Sequence, residues 1–133
     1  MNATLHQNLV VLRIILALLV ILLAGFWGLI VLFSDFPSSW SYAFWVLYVL
    51  GGHLIAGFLV GMLTPLRWQL SIAAAWGAIF INVGGVVGML RSSESTTAPV
   101  SFLARVAFPL LTLLVVPAVA GLGGYAGSRI AKR

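Results

Sequence analysis

Two polar side chains, His53 and Asn82, lie within long apolar stretches of this sequence and are its candidates for buried chemistry. His53 is in the middle of LYVLGGHLIAGFLVGML, which has four glycines and no charged residue. Imidazole can donate or accept a hydrogen bond, ligate a metal or carry a proton, whereas the amide of Asn82 is mainly a hydrogen-bonding group. The elements around the two residues decide among these roles.

The spacing along the chain brings His53 and Asn82 to nearly the same depth. A turn is predicted near Arg67, which is 14 residues after His53 and 15 residues before Asn82. In two antiparallel α-helices, with a rise of about 1.5 Å per residue, the two levels differ by about 1.5 Å. We therefore predict an interhelical hydrogen bond between His53 and Asn82, which in a membrane is worth about 0.6–2 kcal/mol.

A second interpretation makes His53 the axial ligand of a haem or of a chlorophyll-type magnesium, with the neighbouring glycines making room for the macrocycle. Bis-histidine haem ligation needs a second buried histidine, and the only other one, His6, is near the N-terminus. The chain has no cysteine, which excludes thiolate metal sites and cysteine nucleophiles. We expect no cofactor and no metal, with five-coordinate pigment ligation at His53, or a substrate or proton contact there, as the alternatives.

The composition predicts an integral membrane protein. Of the 133 residues, 62% are hydrophobic and 7% are charged, whereas a soluble domain carries about 25% charged residues. With so few charges, a chain of this size could not cover its apolar surface in water. The net charge of +5 comes from basic residues at the ends of apolar segments, which suits lipid headgroups better than nucleic acid.

Four stretches are long and apolar enough to cross a bilayer as helices, since about 20 residues span the hydrocarbon core. They cover residues 14–33, 42–63, 71–90 and 106–127. Connections with proline and polar residues join them, so we predict one domain, residues 1–133, built as two helical hairpins in a compact four-helix bundle. The first span resembles a signal peptide, but its apolar run is too long and no A-x-A-like cleavage site follows, so a retained helix is expected.

The distribution of Lys and Arg predicts the orientation of these spans. If the N-terminus is cytoplasmic, five basic residues fall inside and two, Arg91 and Arg105, fall outside; the inside residues are Arg13, Arg67, Arg129, Lys132 and Arg133. The positive-inside rule then places both termini in the cytoplasm. A cysteine-free, loop-poor helical chain of this size suits the bacterial cytoplasmic (inner) membrane.

Small residues at four-residue spacing mark where the helices meet, because packing in lipid depends on close backbone approach. The predicted packing positions are Gly52, Ala56, Gly57 and Gly61 in the second span, Gly77, Gly84 and Gly88 in the third, and Gly123, Gly124 and Gly127 in the fourth. The last three spans are expected to form the core, with the first as an outer wall of leucine and isoleucine. Either the third helix lies near the centre of a closed bundle, or a glycine face stays free for a partner.

No catalytic constellation is recognisable, so we expect no enzymatic activity. The predicted spans contain no charged residue, and the serines concentrate in loops without a histidine and a carboxylate nearby. The stretch GLGGYA, residues 121–126, matches G-x-G-x-x-A. Dinucleotide sites place that motif between a strand and a helix, which an apolar span does not offer.

The sequence thus predicts a non-enzymatic accessory or assembly subunit in the lipid bilayer, which packs through glycine-rich helix faces with itself or with a larger membrane complex. One alternative is a small oligomeric transporter or channel with a polar, hydrated site at His53 and Asn82. The other is a pigment- or haem-binding subunit that uses His53. No nucleic-acid partner is expected.

Overall fold

The computed structural model describes residues 3–33, 42–84 and 102–133, and this part of the chain is helical throughout except at short turns. Helix α1 covers Ala3–Phe33 and α2 covers Tyr42–Leu63. A 3-10 helix, Pro65–Trp76, continues directly as helix α3 over residues 77–84. The last helix, α4, covers Phe102–Ala131. The predicted all-helical class with four helices is confirmed.

The helix ends agree with the hydropathy pattern only in part. Helix α2 has the predicted bounds, whereas α1 begins well before residue 14 and α4 extends beyond residues 106–127 at both ends. Hydropathy marks the apolar part of a helix, and polar residues at its ends continue the same winding. The predicted third span, residues 71–90, lies only partly within the described residues.

Within the described residues, two stretches have the length and apolar composition of a membrane-crossing helix, Thr4–Ile30 and Leu110–Ala131. The described apolar part of α2, Leu47–Leu63, is shorter. Large apolar side chains point outward, such as Leu47, 67% exposed, and Leu114, 71% exposed. The interior is made largely of alanine, glycine and valine. Small residues inside and large ones outside let the helix axes come close together.

Helix α2 makes its most extensive contact with α4, and the two backbones touch. A Cβ atom added to Gly57 would clash with the backbone of Ala120, and one added to Gly61 would clash with the backbone of Gly124. Residue numbers increase together along the two helices, so α2 and α4 run in the same direction. Any side chain larger than hydrogen at Gly57 or Gly61 would force them apart.

The same interface has a second row of contacts, in which the glycines belong to α4. Gly123 lies against the carbonyl oxygen of Leu54, and Gly127 lies against that of Phe58. Each helix therefore contributes glycines at four-residue spacing, and each set meets the backbone of the other helix. This reciprocal arrangement is the close approach that the sequence predicts for glycine ladders.

The 3-10 helix presents its small residues at three-residue spacing. Ser71, Ala74 and Gly77 are all buried, and in a 3-10 helix residues i and i+3 lie directly above one another. A kink at Arg67, whose backbone is non-helical with φ −128° and ψ 45°, divides Pro65–Trp76, and the buried edge lies in the part that follows the kink. Winding with three residues per turn thus aligns these side chains along one edge that packs into the bundle.

Helix α1 lies at the periphery, as predicted. It contacts α2 and the 3-10 helix, but within the described residues it makes no contact with α4. Two tryptophans hold it there: the Trp76 indole lies over Gly25 and its N–H donates to the Ile21 carbonyl at 2.5 Å, and Trp27 lies over Gly52. α1 also touches α3 through its backbone, because Gly28 lies against the backbone of Gly77 and Gly77 lies against the carbonyl oxygen of Ala24.

The backbone contact at Gly57 predicts different responses to the same substitution at two glycines of α2. Gly57→Ala gains about 1 kcal/mol of helix propensity but forces a methyl group into the Ala120 backbone, which costs about 1–3 kcal/mol. Gly51→Ala is the matched control, because a Cβ there meets nothing within 4 Å. We expect Gly57→Ala to lower the free energy of unfolding in a detergent titration followed by circular dichroism, and Gly51→Ala to leave it unchanged or raise it. Equal responses would contradict the described α2–α4 contact.

Candidate functional site

His53 is completely buried, with 0% of its surface exposed. Its Nδ1 lies 2.9 Å from the carbonyl oxygen of Val49, one turn earlier on α2. Because a carbonyl can only accept, Nδ1 carries the proton and donates it, which leaves Nε2 of the neutral ring as an acceptor. Nε2 has no partner and faces Gly77, where an added Cβ would lie 3.3 Å away.

Asn82 is bonded in the same local way. Its Nδ2 donates to the carbonyl oxygen of Ala78 at 2.8 Å, and its buried Oδ1 has no partner. Each of the two polar side chains therefore bonds to a carbonyl four residues earlier on its own helix. In the described part of the chain, the predicted hydrogen bond between His53 and Asn82 is not formed.

The winding of the third helical segment explains this correction. The prediction assumed α-helical rise from the turn at Arg67 onward, but residues 68–76 wind as a 3-10 helix, which rises about 2.0 Å per residue instead of about 1.5 Å. This stretch is therefore about 4.5 Å longer than assumed. Gly77 takes the level opposite His53, and Asn82 lies more than one turn beyond it.

The surroundings of His53 do not fit a haem or a chlorophyll-type pigment. A macrocycle bound at Nε2 would have to occupy the space of α3, because Nε2 faces the Gly77 backbone directly. The described residues also contain no group of three or more His, Asp or Glu that could hold a metal ion. Ligation at His53 would require α2 and α3 to separate.

A groove of about 510 Å³ lies between α1 and α2, and its lining is almost entirely apolar. Gly51, Leu47 and Ile55 line it, together with Trp27 and Tyr48 of the rim; neither His53 nor Asn82 does. The two predicted polar site residues thus lie outside the groove, within packed helix contacts.

Most of the predicted packing positions lie in contacts between helices of this chain. Ala56 packs with Ala24 and Ala74, and Gly77 lies against the backbone of α1. Gly84 is half-buried, and Gly88 lies outside the described residues. The positions in direct backbone or side-chain contact within the chain are Gly52, Gly57, Gly61, Gly77, Gly123, Gly124 and Gly127.

Sequence reasoning missed Ser71 and Trp76. Ser71 is fully buried against Gly124, and its Oγ has no hydrogen-bond partner. The three-residue spacing of Ser71, Ala74 and Gly77 was the available signal, but it is visible only when the segment is read with 3-10 periodicity. Nothing in the sequence distinguished Trp76 from the other apolar residues of the predicted span 71–90, because its role depends on the position of Ile21 on another helix.

Comparison with known proteins gives no relative: no family model, no curated protein and no solved structure matches the chain.

The local bonding of His53 and Asn82 predicts that the two residues act independently on stability. In a double-mutant cycle of His53→Leu and Asn82→Leu, we expect the changes in unfolding free energy to add within about 0.5 kcal/mol. A direct hydrogen bond would instead give a coupling of about 0.6–2 kcal/mol. The cycle is measured by detergent unfolding of the four proteins, and a coupling above about 1 kcal/mol would contradict the described geometry.

Proposed function

We propose that this protein is a small multi-pass membrane protein without enzymatic activity, which serves as an accessory or assembly subunit of a larger membrane complex. The observation that carries the proposal is the distribution of side-chain size, with glycine and alanine between the helices and leucine and isoleucine on their outer surface. Hydrocarbon solvates large apolar side chains, while helix association in lipid depends on close packing of small ones. Water would favour the reverse arrangement.

We further propose that the chain crosses the bilayer four times as two hairpins, with both termini in the cytoplasm of a bacterium. The ring of Trp68, next to Arg67, packs edge-on against Tyr125 with centroids 5.5 Å apart. The turn at Arg67 is therefore at the same end of the bundle as Arg129 and the C-terminal basic residues. This supports the grouping of basic residues on one side that the positive-inside rule requires.

The polar residues support an accessory role over transport. His53 is fully buried, and both it and Asn82 bond to their own helices. Neither lines the groove between α1 and α2. A transporter needs a polar site that water or substrate can reach, and closely packed helices at His53 do not provide one.

The partner surface that we propose is the α1–α2 groove around Gly51. A Cβ at Gly51 would meet nothing within 4 Å, unlike the glycines between α2 and α4. Leu47 and Ile55, one turn before and one turn after, are 67% and 63% exposed. A glycine between two protruding side chains forms a notch that fits the ridge of another helix. The occupant we propose is a transmembrane helix of another membrane protein.

Membrane insertion and topology are tested with single cysteines, because the natural chain has none. We expect the protein to remain in the membrane pellet at alkaline pH. We expect an impermeant maleimide to label Gln69→Cys only from the cytoplasmic side and Ser93→Cys only from the outer side of intact cells and inverted vesicles. Release at alkaline pH would overturn membrane insertion, and labelling of both cysteines from the same side would overturn the two-hairpin topology.

The partner surface is tested by photo-crosslinking from Gly51→Cys carrying a maleimide–benzophenone. Leu114→Cys on α4, where the native side chain is 71% exposed, is the matched control. We expect one discrete protein adduct from position 51 and only lipid adducts from position 114. An adduct of twice the chain's mass would identify a second copy as the occupant, and the same adducts from both positions would contradict a specific surface at Gly51.

A further inference from the structure

A basic depression lies at the C-terminal end of α4. Its volume is about 470 Å³, and it is lined by Arg129, Lys132 and Arg133. Three cationic side chains on one concave surface repel one another, and an anion between them offsets this repulsion. The depression therefore has the charge and shape to bind an anionic group.

Neighbouring aromatic residues hold one of these cations in place. The Arg129 Nε donates a hydrogen bond to the Tyr125 hydroxyl at 3.0 Å, and the guanidinium carbon lies 5.4 Å from the centre of the Tyr125 ring. Trp68 packs edge-on against this tyrosine. With Nε bonded to tyrosine, the two terminal nitrogens of Arg129 remain as a pair of donors, which is the geometry that phosphate oxygens accept.

No acidic side chain among the described residues lies at the depression. The chain has two acidic residues, Asp35 and Glu94, and both lie outside the described residues. In the proposed topology both are on the opposite side of the bilayer, and Arg67 adds a further positive charge near Trp68. In that topology the cations at the end of α4 have no acidic side chain on their own side of the bilayer.

We infer that Arg129, Lys132 and Arg133 bind the phosphate of an anionic phospholipid headgroup in the cytoplasmic leaflet. This inference rests on the membrane insertion proposed above, because insertion brings the end of α4 to the level of the headgroups. Phosphate accepts the paired donors of Arg129, and the lysine and the second arginine complete its neutralisation. Tyr125 is a positioning residue, which orients Arg129 without adding charge.

The test is native mass spectrometry of the full chain in neutral detergent, titrated with phosphatidylglycerol, with phosphatidylcholine and with inorganic phosphate. We expect one tightly retained phosphatidylglycerol. Arg129→Gln should weaken its binding about fivefold, the effect of one basic side chain near an anionic lipid, and combining it with Lys132→Gln and Arg133→Gln should reduce retention to the level of phosphatidylcholine. Tyr125→Phe should weaken binding about twofold although the net charge is unchanged.

Arg13→Gln is the matched control. It removes the same charge from the same proposed leaflet, but on α1, which does not contact α4 within the described residues. We expect its lipid binding to equal that of the natural chain. Because the three basic residues are exposed, their variants should retain the natural helix content in circular dichroism.

Three outcomes would overturn the inference. The first is an equal loss of phosphatidylglycerol binding in Arg13→Gln and Arg129→Gln. The second is equal retention of phosphatidylcholine and phosphatidylglycerol by the natural chain. The third is displacement of the lipid by millimolar inorganic phosphate, which would make a soluble anion the ligand. Failure of the site is distinguishable from failure of the proposed function. A chain that stays in the alkaline membrane pellet yet retains no phosphatidylglycerol contradicts the headgroup site alone, whereas a chain released at alkaline pH contradicts membrane insertion itself.

Discussion

Backbone contact between α2 and α4 is the constraint on which the other helix contacts depend. At Gly57 and Gly61 the backbone of α4 occupies the space that a side chain would take, and at Gly123 and Gly127 the backbone of α2 does the same. In the bilayer location that we propose, no hydrophobic force draws helices together, so van der Waals contact over a close approach supplies the attraction. The 3-10 helix packs against this pair, with Ser71 against Gly124, and α1 packs outside it through two tryptophan side chains and the Gly28–Gly77 backbone contact.

Most side-chain hydrogen bonds in the interior of the described part of the chain stay within one helix; the bond from the Trp76 indole to the Ile21 carbonyl, which joins two helices, is an exception. His53, Thr64 and Asn82 each bond to the carbonyl four residues earlier on their own helix. Such bonds remain intact when helices separate, so they add little to the preference for one neighbour over another. Specific pairing therefore depends on the fit of glycine to backbone, and the remaining unpaired atoms, such as Nε2 of His53, are a cost of that fit.

The sequence indicates the helices and the importance of glycine, but not the level at which side chains meet. The bounds of α2 and the peripheral place of α1 follow from hydropathy and from where small residues are frequent. The predicted His53–Asn82 hydrogen bond is not formed because the prediction depended on the rise per residue of the intervening segment, and hydropathy does not distinguish 3-10 from α winding.

The sequence also does not distinguish Gly51 from Gly57, because both are glycines in the same apolar run. The two face different directions around α2, so that Gly51 faces open space and Gly57 contacts the backbone of α4. The sequence shows that the end of α4 is basic, but only the structure shows that Tyr125 orients Arg129.

The 3-10 winding of residues 68–76 couples the length of this stretch to its rotation. If these residues changed to α-helical winding, the stretch would shorten by about 4.5 Å and the helix that follows it would rotate by about 180° about its axis. Ser71, Ala74 and Gly77 would then diverge around the helix instead of lying on one edge, and α3 would present a different face to α2. The depth of α3 and the face that it presents to α2 therefore change together whenever the winding of this segment changes.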